Sequence, residues 1–294
     1  MRDVRYGCQS MTGKIEAVLI KGPAEAFISQ EHLGEKWEAF GFLSCPDYEE
    51  ALREYGAFER LLRDEVPHVV SLPRDDRTGL DSLYAHDGLK VTERGAIYFN
   101  TGKALRRGEG RAARDVLESL GIPTLGVIEE PGTMEGGDVV WLDRETVAIG
   151  RGYRTNDAAI EQFRALTDGF VRETVVVPLP HGEGEAACLH LMSLVSLVDR
   201  DLAVVYSRYL PVFFRRMLLD RGLTLLEVDD EEYASLGSNV LALAPRVCLV
   251  LEGNPRIRAE LEAQGCRVVA YEGKQISLAG TGGPTCLTHP LLRI

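Results

Sequence analysis

The residues best equipped for chemistry lie near the C-terminus, between Gly280 and Leu292. Glycines 280, 282 and 283 and Pro284 deliver a single cysteine, Cys286, to the head of an apolar run, 287–292. Glycine lets backbone approach a ligand closely, and proline sets the turn. A cysteine at the mouth of a strand is placed as a nucleophile would be. A small buried hydrophobe in a turn is the other reading.

Four further stretches carry polar groups of matching kind. Asp81-Ser-Leu-Tyr-Ala-His-Asp-Gly88 sets two carboxylates and a histidine ahead of an apolar run. Asp87 at a strand mouth suits a guanidinium, the fork-shaped partner of a carboxylate. Gly132-Thr-Met-Glu-Gly-Gly-Asp-Val139 contains Glu135, able to orient a histidine, and Asp138. Cys188-Leu-His-Leu-Met-Ser193 holds His190, able to act as acid and base near neutral pH. Arg106 in 102–109 and Arg154 in 150–156 could each bind a carboxylate. The G-x-G of 150–152 lacks the third glycine and the strand–turn–helix setting of a dinucleotide site, so no nucleotide is expected. Thiol, histidine and orienting carboxylate together form an activated nucleophile. A spare carboxylate and two arginines then suit a ligand that is cationic at one end and anionic at the other.

The elements repeat. Strands at 89–92 and 96–100, a helix at 110–120 and a strand at 123–127 make one strand–strand–helix–strand unit. Equivalent units occupy 139–177, 189–228 and 240–271. In the third of these the first strand is read as 189–198. Glycines 121, 169, 222 and 265 end the four helices, as a left-handed C-terminal residue requires. Asp87, Asp138, His190 and Asn239 open the units at separations of 51, 52 and 49, and Cys286 follows 47 later. A fifth unit closes if the strand after Cys286 joins the strand 14–20, the helix 48–62 and the strand 66–72. The expected fold is therefore an α/β ring of five modules, a single domain over 1–294, with all five openers at one mouth. Segment 22–47 has no clean period and reads as a surface loop able to act as a lid.

Composition sets limits. The net charge of −12 over 294 residues argues against nucleic acid or an anionic membrane as partner. No apolar run reaches transmembrane length, and 1–6 shows no leader-like apolar stretch. The six cysteines show no CxxC, and Cys188, Cys248 and Cys266 sit among apolar neighbours that suggest a core position. A cytoplasmic protein with reduced thiols is expected. Two rival readings stand beside the nucleophile. One is a metal site built from His181, Glu183, Glu185 and His190, or from Asp81, His86 and Asp87, although neither set has a familiar ligand spacing. The other is a non-catalytic module that binds a cationic amino acid.

E-G-G-D at 135–138, G-x-x-Y-R-T-N at 150–156, L-H-L at 189–191 and G-G-P-T-C at 282–286 resemble the guanidino-group-modifying enzymes. These are the arginine deiminases, dimethylarginine dimethylaminohydrolases and amidinotransferases, which share a five-bladed α/β propeller, the pentein fold. The resemblance implies Cys286 as nucleophile, His190 as acid and base, and Glu135 as its orienting partner. It implies Asp87, with Asp81 and Asp138 nearby, on the guanidinium side, Arg106 and Arg154 on an α-carboxylate, and Asn239 in the substrate pocket. No metal or cofactor is implied, and a homodimer is left open. Met192 stands where deiminases carry an aspartate. Losing that carboxylate removes a charge-assisted contact of ~1.5–3 kcal/mol, which favours an N-alkylated guanidine. The implied reaction is dimethylargininase-like hydrolysis to citrulline, with deiminase, dihydrolase and amidinotransferase chemistry as alternatives.

Overall fold

A computed structural model describes residues 5–294. In chain order the elements begin with β1 (Ile15–Ile20), α1 (Pro23–Ala26), α2 (Gln30–Lys36), α3 (Tyr48–Glu65) and β2 (His68–Ser71). There follow β3 (Leu89–Thr92), β4 (Gly95–Tyr98), α4 (Glu109–Ser119) and β5 (Thr124–Val127). Next come β6 (Val139–Trp141), β7 (Thr146–Arg151), α5 (Asp157–Thr167) and β8 (Glu173–Pro178). After these are β9 (Val195–Asp199), β10 (Leu202–Val205), α6 (Val212–Asp220) and β11 (Thr224–Glu227). The last are α7 (Asp230–Ala234), β12 (Leu241–Ala244), β13 (Val247–Leu251), α8 (Pro255–Ala263), β14 (Arg267–Tyr271) and β15 (Thr288–Arg293).

The strands form five three-stranded sheets, β15-β1-β2, β3-β4-β5, β6-β7-β8, β9-β10-β11 and β12-β13-β14. In each sheet the first strand runs antiparallel to the second, and the third runs parallel to it. The parallel pair is joined through a helix, as parallel strands must be. The expected repeat is present, and its fifth copy is made from both ends of the described chain: Ile20 pairs with Thr288 and with Ser71. Burial explains the order within a blade. β3 and β15 are buried along their whole length, whereas β2 and β5 carry no fully buried residue. The first strands face the ring axis and the third strands the rim.

The helix-ending glycines 121, 169, 222 and 265 adopt φ between 78° and 83°, the left-handed geometry that terminates each helix. α3 lays Phe58 on Tyr271 of the neighbouring blade, ring centroids 5.0 Å apart. Three expectations need correction. Segment 22–47 is not an irregular loop: it forms α1 and α2, too short to show a helical period, and Phe27, Leu33, Phe40 and Phe42 are buried. Residues 189–198 are not one strand: a 3-10 turn, Leu191–Ser193, precedes β9, and a continuous apolar run does not distinguish the two. Cys188 is exposed rather than core, while Cys248 and Cys266 are buried.

Candidate active site

The segments leading into the first strands carry the polar residues. Glu135 is extended and is followed by a 3-10 turn, Gly136–Asp138, that feeds β6. Its carboxylate is fully buried and receives His190 Nε2 on Oε2 at 2.7 Å, Lys103 N on Oε1 at 3.0 Å and Arg154 Nη1 at 3.2 Å. Burial raises a carboxyl pKa, but the His190 hydrogen bond and charge, with Arg106, outweigh it and hold Glu135 down at about 2. Glu135 is therefore an anion at neutral pH.

His190 caps the turn that leads to β9. With Nε2 committed to Glu135, its Nδ1 faces Cys188 Sγ at 3.6 Å and Asp87 Oδ1 at 4.0 Å. Burial disfavours the imidazolium, yet Cys188, Asp87 and Asp138 overcome it and raise the pKa well above the ordinary histidine value. The close packing is possible only because residue 137 is glycine: a Cβ there would lie 2.5 Å from His190 Nδ1. Asp138 is fully buried. It ties the two loops together, accepting from Thr155 Oγ1 at 2.6 Å and from Leu191 N at 3.0 Å. Burial lifts its pKa to about 6.

Cys286 is half-buried at the end of the Gly280–Thr285 loop, and its Sγ accepts from Asn239 Nδ2 at 3.3 Å. Asn239 Oδ1 in turn accepts Thr285 N at 3.1 Å, so one side chain holds both loop and sulfur. Burial pushes the thiol up to about 11, Asp87 and Cys188 push the same way, and His190 and Asn239 oppose them. Burial thus favours the thiol, with the His190 charge acting on it from a distance.

Asp87 is buried with both oxygens occupied. Oδ1 accepts from Gly137 N at 2.8 Å and Oδ2 from Arg106 Nη1 at 2.6 Å. Burial acts to raise its pKa, but His190 and Arg106 bring it well below the usual carboxylate range. Arg106 departs from expectation. Its Nε donates to Glu109 at 3.0 Å and its Nη2 to Tyr84 O at 2.9 Å, beside the bond to Asp87, and the side chain is buried. Most of this guanidinium's donors are spent within the protein, and one Nη1 proton is the donor left over. Arg154 differs: among the described residues its only side-chain acceptor is Glu135. Asp81 pairs with Lys103 Nζ at 2.5 Å, and Met192 is buried and lines a cavity on the ring axis.

Neither expected metal set converges. His181 Nδ1 meets the Tyr153 hydroxyl at 2.8 Å, and both His86 nitrogens are engaged, Nδ1 with Thr288 O and Nε2 with Lys90. Asp87, Glu135 and His190 do bring ligand-type atoms within 4.8 Å of one another. All three are already saturated by each other, by Arg106 and by Arg154, a cationic surround that does not suit a cation.

Two contributors escaped the sequence reading. Cys188 precedes His190 by two, and residues i and i+2 of extended chain share a face, which was a readable signal. Lys103 supports Glu135 through a main-chain N–H, which no side-chain pattern reveals.

A family model described as N,N dimethylarginine dimethylhydrolase, eukaryotic, matches residues 46–293. The N(G),N(G)-dimethylarginine dimethylaminohydrolase of Pseudomonas aeruginosa is 25% identical over 276 residues, 92% of this chain and 97% of that one. The arginine deiminase of Rhodococcus erythropolis is 29% identical over 192 residues, 54% of this chain and 46% of its own length, so the match spans about half of that relative. Among solved structures, a cysteine-to-serine mutant of the Pseudomonas aeruginosa enzyme, complexed with citrulline, superposes with a TM-score of 0.75 at 23% identity, covering 94% of this chain and 99% of that one. That likeness fixes the five-bladed fold. With the family model spanning most of the sequence, the chain belongs to the N,N dimethylarginine dimethylhydrolase family, hydrolases of guanidino C–N bonds.

Proposed function

We propose that the protein hydrolyses an N-methylated arginine to citrulline and an alkylamine, and that Cys286, His190 and Glu135 carry the reaction. The supporting observation is the buried His190–Glu135 pair, 2.7 Å apart, with a cysteine thiol held by Asn239 within its field. A thiol raised to about 11 is a poor nucleophile at rest. A guanidinium bound beside it stabilises the thiolate, the thiol proton leaving to solvent as substrate binds, and the two charges meet only in the complex. The thiolate attacks the guanidinium carbon to give a tetrahedral adduct. His190, protonated at rest, gives its proton to the departing alkylamine, and the C–N bond breaks to leave a thiouronium on Cys286. The now neutral imidazole takes a proton from water as it adds to the same carbon. Collapse breaks the C–S bond and releases the ureido product, while the remaining proton of the added water returns the sulfur to its resting thiol.

Asp87 supplies the negative charge for the guanidinium, held rigid by Arg106, which acts as a positioning residue. Arg154 is the remaining arginine for a substrate carboxylate. The whole of 1–294 works as one catalytic unit, in the cytoplasm, without nucleic acid or membrane; no helix of the described residues is long and apolar enough to cross one. Turnover of arginine itself is the second reading, and the identity to an arginine deiminase favours it.

The deciding experiment is a panel of arginine, N-monomethylarginine, asymmetric dimethylarginine, agmatine and guanidinoacetate, assayed for citrulline, ornithine and released amine. Citrulline with alkylamine from the methylated substrates, and little from arginine, is the expected result. Citrulline and ammonia from arginine alone would move the assignment to a deiminase, and ornithine to a dihydrolase. A trapped Cys286 adduct in His190→Gly, seen as a mass increase, is expected. Full activity in Cys286→Ser would sink the mechanism.

A further inference from the structure

The inner strands of all five blades surround a cavity on the ring axis, beneath the catalytic loops: β3, β6, β9, β12 and β15 each contribute to its wall. It leaves about 20 Å³ open to the centre of a water-sized group, enough for one or two such groups. Its lining has an unusual charge. Lys90 and Arg293 are both buried there, and no aspartate or glutamate lines the wall.

Neither group has a carboxylate within hydrogen-bond distance; burial lowers Lys90 to about 8 and Arg293 below its ordinary value, with Cys8 opposing both and Asp87 opposing the lysine shift. Lys90 Nζ donates to His86 Nε2 at 3.0 Å and to Gly136 O at 3.2 Å, both uncharged acceptors. Arg293 Nη1 donates to Gly13 O at 2.6 Å and Ala242 O at 2.7 Å, again uncharged. The two histidines of the wall do not help, since burial and Lys90 hold both His86 and His289 in the neutral form. Cys8 lies against Arg293, but burial raises its thiol pKa and works against a full counter-charge there. Three buried polar atoms of the lining have no partner among the described residues: Arg293 Nε, Trp141 Nε1 and Thr285 Oγ1. Two of these are obligate donors. A buried cation without a counter-charge is costly, and unpaired buried donors add to that cost. Water would satisfy the donors but not the charge.

We propose that this axial cavity is a binding site for one small monovalent anion of the halide class, held between the Arg293 and Lys90 side chains with the Trp141 indole N–H as a further donor. Oxyanions such as sulfate are too large for the space. The site lies below the reaction centre and is separate from it. Lys90 reaches Gly136 O, and the neighbouring Gly137 N–H holds Asp87. The anion therefore braces the floor of the active site without touching substrate.

The test uses crystals of the full chain soaked in sodium bromide and measured at the bromine absorption edge. One anomalous peak in the cavity, in contact with Arg293, is expected, weakened or lost in Lys90→Met. In solution, replacing gluconate by bromide at fixed ionic strength should raise Tm by about 2 °C per tenfold increase in bromide. Lys90→Met should flatten that dependence. Arg293→Met also removes two main-chain contacts, so the lysine variant is the informative one. Water-like density without anomalous signal, or bromide only at the surface, would overturn the proposal. So would equal Tm in both salts, or a cavity peak undiminished in Lys90→Met.

Discussion

At the scale of single residues, the candidate site sets a buried ion pair beside a thiol. Glu135 is an anion, His190 a cation and Cys286 a thiol raised by burial and by nearby Asp87. The alkylation rate of Cys286 by iodoacetamide, followed on its own peptide by mass spectrometry, should therefore climb with pH up to about 11. Asn239→Ala removes the donor at 3.3 Å from the sulfur, so its limb should lie at still higher pH and its rate at pH 8 should fall. A limb at the ordinary thiol position would contradict this picture. Glu135→Gln keeps shape and removes the charge that supports the imidazolium. A fall in kcat of about 10²–10³ is expected, with the alkaline limb of the kcat profile moving to lower pH as His190 loses its proton more readily. An unmoved limb would show that Glu135 only fills space.

At the scale of elements, the candidate catalytic groups sit on short turns fastened by caps. Asn156 illustrates this. It caps α5 by accepting from Ala159 N at 3.0 Å, and it also accepts Thr133 N at 3.1 Å and donates to Pro131 O at 2.9 Å. One side chain thus starts a helix and anchors the loop that carries Glu135. Asn156→Ala should cost about 1–2 kcal/mol of stability, read by urea denaturation, and should lower kcat because Glu135 loosens. Loss of stability with kcat unchanged would confine Asn156 to the helix. The strands and main helices were legible from periodicity and from the glycines that stop each helix. The helices α1 and α2 and the turn at 191–193 were not, because segments of three to seven residues show too few turns to establish a period. The surroundings of Arg106 were not legible for a different reason. Its neighbours in sequence do not show that Asp87, Glu109 and the Tyr84 carbonyl will enclose it.

At the scale of the whole molecule, ring closure decides whether a site exists. The sheet β15-β1-β2 joins residues from both ends of the described chain, and every residue of β15 is buried. Deleting 288–294 leaves the sheet of β1 and β2 without its inner strand and opens the wall of the axial cavity. No cooperative unfolding transition is expected from that truncation, as followed by near-UV circular dichroism during denaturation. A folded, cooperative variant would mean that the other four blades stand alone. The sequence by itself determined the repeat, the glycines and caps that punctuate it, and the kinds of side chain at the five openings. Those are local properties, written in spacing and periodicity over tens of residues. Only the tertiary structure decided which partners the polar side chains take. It engages Asp138 with Thr155 and Leu191, spends Arg106 on Asp87 and Glu109, and brings Cys188 to the imidazole. The physical reason is that a buried charge takes whichever partner packing brings within hydrogen-bond distance, and for Asp138 with Leu191, Asp87 with Gly137 and Glu135 with His190 that partner lies 50 to 55 residues away in sequence.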